Sequence, residues 1–312
     1  MNARPKLFLM LSLTFVFLLA LLAPTRAFQT AWTMNQVSAI VSALSEEYGA
    51  ENTLVVFDID NTLLMVNQDL GSDAWYRWQS GLAKTEPGSA LLVAEDTGGI
   101  LDVQRLLFEL SDMKPPENET PDLVAQLKER GHPIMALTSR NPNFRSATLR
   151  ELADFGYEFS SAPRCGAPLC VTHGIIGGDA VKRAAQQSTT VFPRVDELVG
   201  TSPRPISYGD GVMMVAGQNK GVMLQLLLAS SASDNYRSII FVDDGKRNVE
   251  HVDDAFKDDP RAVSTIYYDR LEADVQAFQS DPKRQQTADK SWRAVSGVVC
   301  EHFRRFCAVP AP

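Results

Sequence analysis

Two aspartates follow an apolar run early in the chain. Asp58 and Asp60 lie two residues apart in VVFDIDNTLL, and in an extended chain both side chains leave on the same side. Adjacent carboxylates repel each other, and a divalent cation with oxygen ligands would offset that repulsion. Mg²⁺ commonly combines one or two carboxylates with a substrate phosphate, so this pair indicates phosphate chemistry. The alternative is that Asp58 and Asp60 belong to a surface turn and are ordinary solvated acids without a bound metal ion.

The residues after these aspartates are suited to a turn. Asn61 and Thr62 are expected to cap the turn that follows the strand with hydrogen bonds from their side chains.

Three further polar features occur where predicted strands or helices begin or end. Thr138 follows PIMAL, and its hydroxyl could donate to a phosphate oxygen or simply cap the next helix. Lys220 is placed at a helix start, where a cation gains nothing from the helix dipole unless an anion faces it. Asp243 and Asp244 end the run IIFVDD, and Asn248 follows four residues after Asp244.

Together these features resemble the haloacid dehalogenase-like (HAD) superfamily. The matching positions are the DxDxT motif from Asp58 to Thr62, then Thr138, Lys220, Asp243–Asp244 and Asn248. All of them are present in order, and they frame about residues 54–249. The tryptophan-rich and AGQNKG segments are also similar to a group of exported bacterial HAD proteins.

The resemblance implies a role for each position. Asp58 would attack phosphorus and form an aspartyl-phosphate. Asp60 would protonate the leaving group and then activate water, while its main-chain carbonyl binds Mg²⁺. Asp244 would complete the metal ligands with Asp58, and Thr138 and Lys220 would hold the phosphoryl oxygens.

Two remaining positions are expected to support the site. Asp243 and Asn248 would stand behind the metal ligands and contact them instead of the ion. An acid at Asp60 is typical of the phosphatases and phosphomutases of the superfamily, and export favours hydrolysis. The resemblance therefore implies an exported Mg²⁺-dependent phosphatase acting on small phosphomonoesters. The alternative is a catalytically weak HAD-fold binding or effector protein, which would carry a large exposed apolar patch on its caps.

The elements that position these residues alternate along the chain. Apolar runs separated by helical patterns indicate an α/β fold with a doubly wound, Rossmann-like parallel sheet, covered on both faces. The predicted strands cover residues 53–58, 133–138, 206–208, 239–243 and 263–268. The predicted helices cover residues 37–48, 121–130, 143–155, 220–229 and 269–279.

Two segments are too long to be simple connections. Residues 64–119 are interpreted as an inserted helical cap and residues 156–219 as a second insertion. The segment ISYGDGVMM is typical of a hairpin with a Gly-Asp-Gly turn. Trp75, Tyr76 and Trp78 could stack on substrate, although their spacing favours packing within the cap. Arg140 could contact phosphate, but a surface ion pair is the expected default.

Composition and the amino terminus indicate an exported globular protein. The 312 residues are 45% hydrophobic with a net charge of −8, and no basic run predicts nucleic-acid binding. Residues 1–27 have a basic start, an apolar run over 7–22 and small residues before a cut after Ala27. We expect signal cleavage, a mature HAD-like domain over 28–312, no stable membrane anchor and a periplasmic or secreted location. A retained anchor is the alternative.

The cysteines fit an oxidising compartment. Four are present, and the absence of any CxxC pair favours disulfides over metal binding. Cys165 and Cys170 can close a tight loop. Cys300 and Cys307 would be about 10 Å apart in a continuous helix, too far to bond. Either that helix breaks or the bonds cross between the two pairs.

Overall fold

The computed structural model describes residues 26–167, 169–170, 174–231 and 236–302. All but the last two residues of the predicted signal segment lie outside this range, as does Cys307. The first described strand begins at Arg26, so cleavage after Ala27 would leave residues 28–31 of it. Among the described residues, no helix has the length and apolar character that crossing a membrane requires.

A large sheet forms the centre of the molecule. Its eight strands lie in the order β1-β10-β9-β2-β5-β8-β7-β6, and a separate two-stranded ribbon pairs β3 with β4. The strands of the described chain are β1 (Arg26–Ala31), β2 (Thr53–Phe57), β3 (Met65–Val66), β4 (Met113–Lys114), β5 (Ile134–Thr138), β6 (Gly174–Ile176), β7 (Ile206–Gly209), β8 (Val212–Met214), β9 (Ser238–Asp243) and β10 (Ala262–Tyr268).

Seven of the eight strands run in the same direction, and those from β1 through β8 in the sheet order pair in parallel. The expectation of a parallel sheet fails at one edge, where β7 is reversed and pairs antiparallel with both β8 and β6. The cause is the predicted hairpin, which is confirmed between β7 and β8. Asp210 and Gly211 form its turn with φ of 50° and 71°, the left-handed pair that suits a two-residue hairpin.

Helices cover both faces of the sheet. They are α1 (Met34–Tyr48), α2 (Asp73–Thr85), α3 (Thr97–Leu110), α4 (Thr120–Glu129), α5 (Arg145–Asp154), α6 (Gly178–Ser188), α7 (Val195–Val199), α8 (Lys220–Ser230), α9 (Lys246–Ala255), α10 (Glu272–Ser280) and α11 (Pro282–His302).

Strand β2 shows why both faces are apolar. Leu54 and Val56 belong to the core that α6 to α9 cover, whereas Val55 and Phe57 belong to the core under α1, α4 and α5. Successive side chains of a strand point to opposite faces, so a strand buried on both sides must be apolar throughout. The mixed α/β class and the mostly parallel sheet are therefore confirmed.

Residues 64–119, here called the cap segment, leave and rejoin the body through the β3–β4 ribbon. Met65 pairs with Lys114 and Val66 with Met113. The segment carries α2 and α3, which pack with α10 and α11 in a third apolar core. Trp75 and Trp78 are buried in that core, and Trp78 meets Phe278 edge to face. Packing is thus the role of both tryptophans.

The cysteines nearest the hairpin are bonded to each other. The disulfide Cys165–Cys170 closes the loop as predicted, with Cα atoms 5.6 Å apart. This pairing rules out the crossed connectivity between the two cysteine pairs. The expectation for Cys300 involves Cys307, which lies outside the described residues.

Candidate active site

Neighbouring strands bring the predicted acids to one edge of the sheet. Strand β2 lies between β5 and β9, all parallel, so their carboxyl ends face the same way. Asp58 directly follows β2, and its amide donates to the carbonyl of Val242 at 2.8 Å. Asp243 ends β9, and Thr138 ends β5. This edge is where open α/β sheets bind ligands.

A buried lysine joins the two acids. The Nζ atom of Lys220 lies 2.6 Å from Oδ1 of Asp58 and 2.6 Å from Oδ2 of Asp243. Burial alone would lower the pKa of Lys220, but the carboxylates of Asp243 and Asp58 outweigh it and raise that pKa. Asn219 caps α8 through its side chain, which makes Lys220 the first residue of the helix. Lys220 is thus held as a cation inside the protein.

Both oxygens of Asp243 already have partners. Oδ2 accepts from Lys220, and Oδ1 accepts from the amide of Gly245 at 2.7 Å and from Nδ2 of Asn248 at 3.0 Å. Asp243 therefore holds Lys220 in place, and Asn248 holds Asp243. The supporting role that the sequence predicts for Asp243 and Asn248 stays a prediction.

Asp244 faces the turn after β2. Its Oδ2 accepts from Nδ2 of Asn61 at 3.1 Å, and its amide donates to Oγ1 of Thr62 at 3.2 Å. The sequence predicts that Asn61 and Thr62 cap their own turn, but both side chains instead reach across to Asp244. Asn61 adopts φ of 60°, a left-handed conformation that asparagine tolerates. The turn and the end of β9 are thereby tied together.

Three carboxylates gather closely enough to share a cation. One oxygen each from Asp58, Asp243 and Asp244 lies within 4.8 Å of the others. Four carboxylates and two cations form the immediate surroundings, which leaves two negative charges for a divalent ion to balance. The carboxylates are Asp58, Asp73, Asp243 and Asp244, and the cations are Lys220 and Arg77. Oxygen donors of this kind fit a hard ion such as Mg²⁺.

Without a bound metal ion, protonation reduces the repulsion between these buried carboxylates. Burial, and then the charge of Asp243, raises the pKa of Asp58 from 3.8 to about 8. Burial, followed by the charges of Asp73 and Asp243, raises the pKa of Asp244 well above its ordinary value. A bound divalent cation would favour the ionised carboxylates instead. The residues present therefore fit a metal.

Asp60 points away from this cluster, towards Arg140. The guanidinium donates to both carboxylate oxygens, with Nη2 to Oδ1 at 2.8 Å and Nε to Oδ2 at 3.0 Å. Its Nη1 donates to Glu151 at 2.6 Å, and its plane lies 4.1 Å from the ring centre of Phe108. The expectation of a surface ion pair for Arg140 is wrong, because two carboxylates stabilise its charge in a buried position.

Thr138 is buried at the neighbouring strand end. Its hydroxyl oxygen accepts from the amide of Arg140 at 3.1 Å. A hydroxyl can accept and donate at once, so Thr138 keeps a hydrogen for a ligand. The local role of the threonine is to shape the turn that carries Arg140.

A cavity of about 530 Å³ opens beside Asp60, between the sheet edge and the cap segment. Asp60, Ser139 and Arg140 line its inner side, and Asp73 and Tyr76 of α2 line the opposite side. A larger cavity of about 820 Å³ lies beside the disulfide and contains none of the predicted site residues. The smaller cavity is therefore the candidate substrate pocket.

Three residues at this site were not predicted. Asp73 and Arg77 form an ion pair at 2.6 Å on α2, and Arg77 lies 3.6 Å from Oδ2 of Asp244. Glu151 on α5 holds Arg140. The four-residue spacing of Asp73 and Arg77 signals a helical ion pair, but not that it faces Asp244. Only tertiary packing brings these residues to the sheet edge.

The fold and this edge define a class: a mixed α/β protein with buried carboxylates and one lysine at the carboxyl ends of a mostly parallel sheet. Residues 32–296 match the family described as Protein of unknown function (DUF2608), and the chain belongs to that family. A search among curated proteins finds no match.

Proposed function

We propose that this protein is an exported Mg²⁺-dependent phosphatase of the HAD type, which hydrolyses small phosphomonoesters through an aspartyl-phosphate. One observation carries the proposal. A buried ion-paired group joins Lys220 to Asp58 and Asp243, beside Asp244. Asp60, two residues after Asp58, faces a cavity. A nucleophile, a cation for phosphate oxygens, metal ligands and a proton donor then share one edge of the sheet.

The metal would be held by the carboxylates of Asp58 and Asp244 and by the main-chain carbonyl of Asp60. We assign Asp243 a supporting position because its oxygens already accept hydrogen bonds from Lys220, Gly245 and Asn248. Bound Mg²⁺ would reduce the repulsion between an anionic nucleophile and an anionic substrate.

In the first step, a carboxylate oxygen of Asp58 attacks phosphorus and the bond from phosphorus to the ester oxygen breaks. Asp60 gives its proton to the departing alkoxide, which leaves as an alcohol. Lys220 and the hydroxyl of Thr138 would stabilise the charge on the phosphoryl oxygens.

In the second step, Asp60 takes a proton from water as the water oxygen attacks phosphorus. The acyl-phosphate bond breaks, inorganic phosphate forms and the carboxylate of Asp58 is regenerated. Arg140 positions the ionised Asp60 for this second step, because its guanidinium donates to both oxygens of that carboxylate. The proton that Asp60 takes from water is the one that it gives to the leaving group in the next turnover. Proton transfer needs such alignment with the reacting atom.

The finer features of the fold belong to the same proposal. The sheet would be a doubly wound HAD core, with the cap segment as one insertion and residues 156–219 as the second. The disulfide Cys165–Cys170 supports export, since such bonds persist in oxidising compartments.

The alternative, a catalytically weak binding protein, would need a contiguous apolar patch on its caps. Among the described residues of the two insertions, the exposed large hydrophobic side chains are Leu110 in the cap segment and Ile175 and Val191 in residues 156–219. The intact acid and lysine constellation favours the enzyme.

Hydrolysis of an aryl phosphate by the purified chain, with and without Mg²⁺, tests the proposal. We expect Mg²⁺-dependent turnover that Asp58→Asn abolishes. Asp196→Asn, which removes an exposed acid of α7, is the matched control and keeps turnover. Circular dichroism should show that both variants are folded. Wild-type turnover in the Asp58→Asn chain would reject the proposed function.

A further inference from the structure

The acids that line the candidate substrate pocket are already neutralised. Asp60 is ion-paired with Arg140 at 2.8 Å, and Asp73 is ion-paired with Arg77 at 2.6 Å. The charge that this pocket offers to a ligand therefore comes from other residues on its wall.

Three more cations line the same cavity, and we call them the basic rim. Lys84 lies in the last turn of α2, Arg204 precedes β7, and Arg247 lies in the first turn of α9. All three are exposed, and within the described part of the chain no carboxylate lies within 4.0 Å of their charged groups. The whole chain has 38 acidic and 30 basic residues, so unpaired cations gathered at one pocket need an explanation.

Local structure explains Lys84, because a cation is favoured in the last turn of a helix, but it does not explain the two arginines. Arg247 is placed at a helix start without an acid in the first turn, where the helix dipole disfavours a cation. Arg204 is held over the pocket by Gln218, which accepts from its amide at 2.7 Å and donates to its carbonyl at 3.0 Å. The same loop is tied to the site, because the amide of Ala216 donates to the carbonyl of Arg140 at 3.0 Å. The backbone at Arg204 is thus anchored beside the strand end that carries Arg140.

We propose that the basic rim binds a second anionic group of the substrate, so the preferred substrates are phosphomonoesters that also carry another phosphate or a carboxylate. This inference rests on the proposed function, which places the scissile phosphate at Asp58. The cavity of about 530 Å³ is large enough for a small molecule with two charged ends. Electrostatic complementarity of this kind favours such substrates over phosphomonoesters with no second anionic group.

Calorimetric titration of the full Asp58→Asn chain in Mg²⁺ tests the rim independently of turnover. The ligands are phenyl phosphate, 4-carboxyphenyl phosphate and 1,4-phenylene bisphosphate. We expect at least one of the two ligands with a second anionic group to bind about tenfold more tightly than phenyl phosphate. The ligand that does so shows whether phosphate or carboxylate is the second group.

The triple variant Lys84→Gln, Arg204→Gln and Arg247→Gln should reduce that ratio of affinities to about one. Lys246→Gln is the matched control, because Lys246 is an exposed cation of the same helical turn outside the cavity lining, and it should keep the ratio. Equal affinities in the starting protein, or a ratio that survives the triple variant, would overturn the inference.

Turnover separates the two proposals. If the unmutated chain hydrolyses phenyl phosphate but shows no preference for esters with a second anionic group, the phosphatase proposal is kept and the basic-rim proposal is rejected. A rim-dependent preference in binding without hydrolysis of any of the three esters would reject the phosphatase and keep the anion site.

Discussion

Lys220 is the residue on which the buried part of the site depends. Its ammonium is the cation that lies between Asp58 and Asp243, both within 2.6 Å. Removing one partner of a buried ion pair leaves an uncompensated charge, which costs far more than the pair itself contributes.

We therefore expect Lys220→Met to lower the free energy of unfolding by about 3–5 kcal/mol in urea denaturation. Lys257→Met is the control, since Lys257 forms an exposed pair with Asp254 at 3.5 Å and should cost less than about 1 kcal/mol. Similar losses in the two variants would show that the ion-paired group is not buried as described.

The carboxyl of Asp58 couples metal binding to pH. Its pKa is raised to about 8, so the folded chain without metal holds a proton there that the unfolded chain releases near pH 4. Between these values the folded state binds more protons, so this group lowers stability as the pH rises towards 8. Mg²⁺ competes with that proton.

We predict that the affinity for Mg²⁺ increases from pH 6 to pH 9 and that binding releases protons. Calorimetry in two buffers of different ionisation enthalpy measures both quantities, and Asp58→Asn should weaken binding and the proton release. Mg²⁺ affinity that does not change over this range would contradict the carboxylate site.

Arg140 gives Asp60 its orientation through several hydrogen bonds that a lysine cannot reproduce. Arg140→Lys retains the charge but loses the paired hydrogen bonds to Asp60, so we expect kcat for an aryl phosphate to fall about tenfold to a hundredfold. Arg145→Lys, at an exposed pair with Asp210, is the comparison and should keep kcat. An unchanged kcat in Arg140→Lys would remove Arg140 from the mechanism.

At the scale of elements, the contact between α8 and α9 sets the position of Lys220. A Cβ atom added at Gly221 would lie 2.5 Å from the carbonyl oxygen of His251 and 2.6 Å from Cβ of Ala255. The two helices approach closely because residue 221 has no side chain. Since Gly221 follows Lys220 directly, a shift of α8 would move the lysine from its carboxylates.

Gly221→Ala should therefore cost about 1–3 kcal/mol of stability and reduce turnover as well. Gly297→Ala on α11 is the matched control, because an added Cβ there meets no atom within 4 Å. It should stabilise the protein by about 0.5–1 kcal/mol. Thermal denaturation and aryl phosphate hydrolysis of both variants test this, and a neutral Gly221→Ala would contradict the close packing.

The elements that sequence predicts well are those with a buried apolar pattern. The strand predicted over residues 239–243 is observed as β9, Ser238–Asp243, and the helix over 220–229 as α8, Lys220–Ser230. Two of the missed helices are mostly polar in sequence, although α9 buries Val249, Val252 and Ala255. Helix α11 buries only Ala288 and Trp292 among its described residues, and α9 begins with KRN.

For the molecule as a whole, topology explains which site residues sequence could find. Asp58, Asp243 and Asp244 follow apolar strands, and parallel neighbours necessarily bring such ends together. Asp73, Arg77 and the buried role of Arg140 depend on how α2 and α5 pack against the sheet. No local periodicity encodes that packing, so only the structure shows that these residues belong to the site.

The proposed mechanism requires that Asp58 becomes phosphorylated during turnover. Borohydride reduces an acyl phosphate of aspartate to homoserine, a change that peptide mass spectrometry can locate. We predict that borohydride, added during hydrolysis of an aryl phosphate in Mg²⁺, converts Asp58 to homoserine, and that omitting Mg²⁺ or substrate prevents the conversion. Hydrolysis that proceeds while Asp58 stays unmodified, or conversion at another carboxylate, would contradict the proposed mechanism.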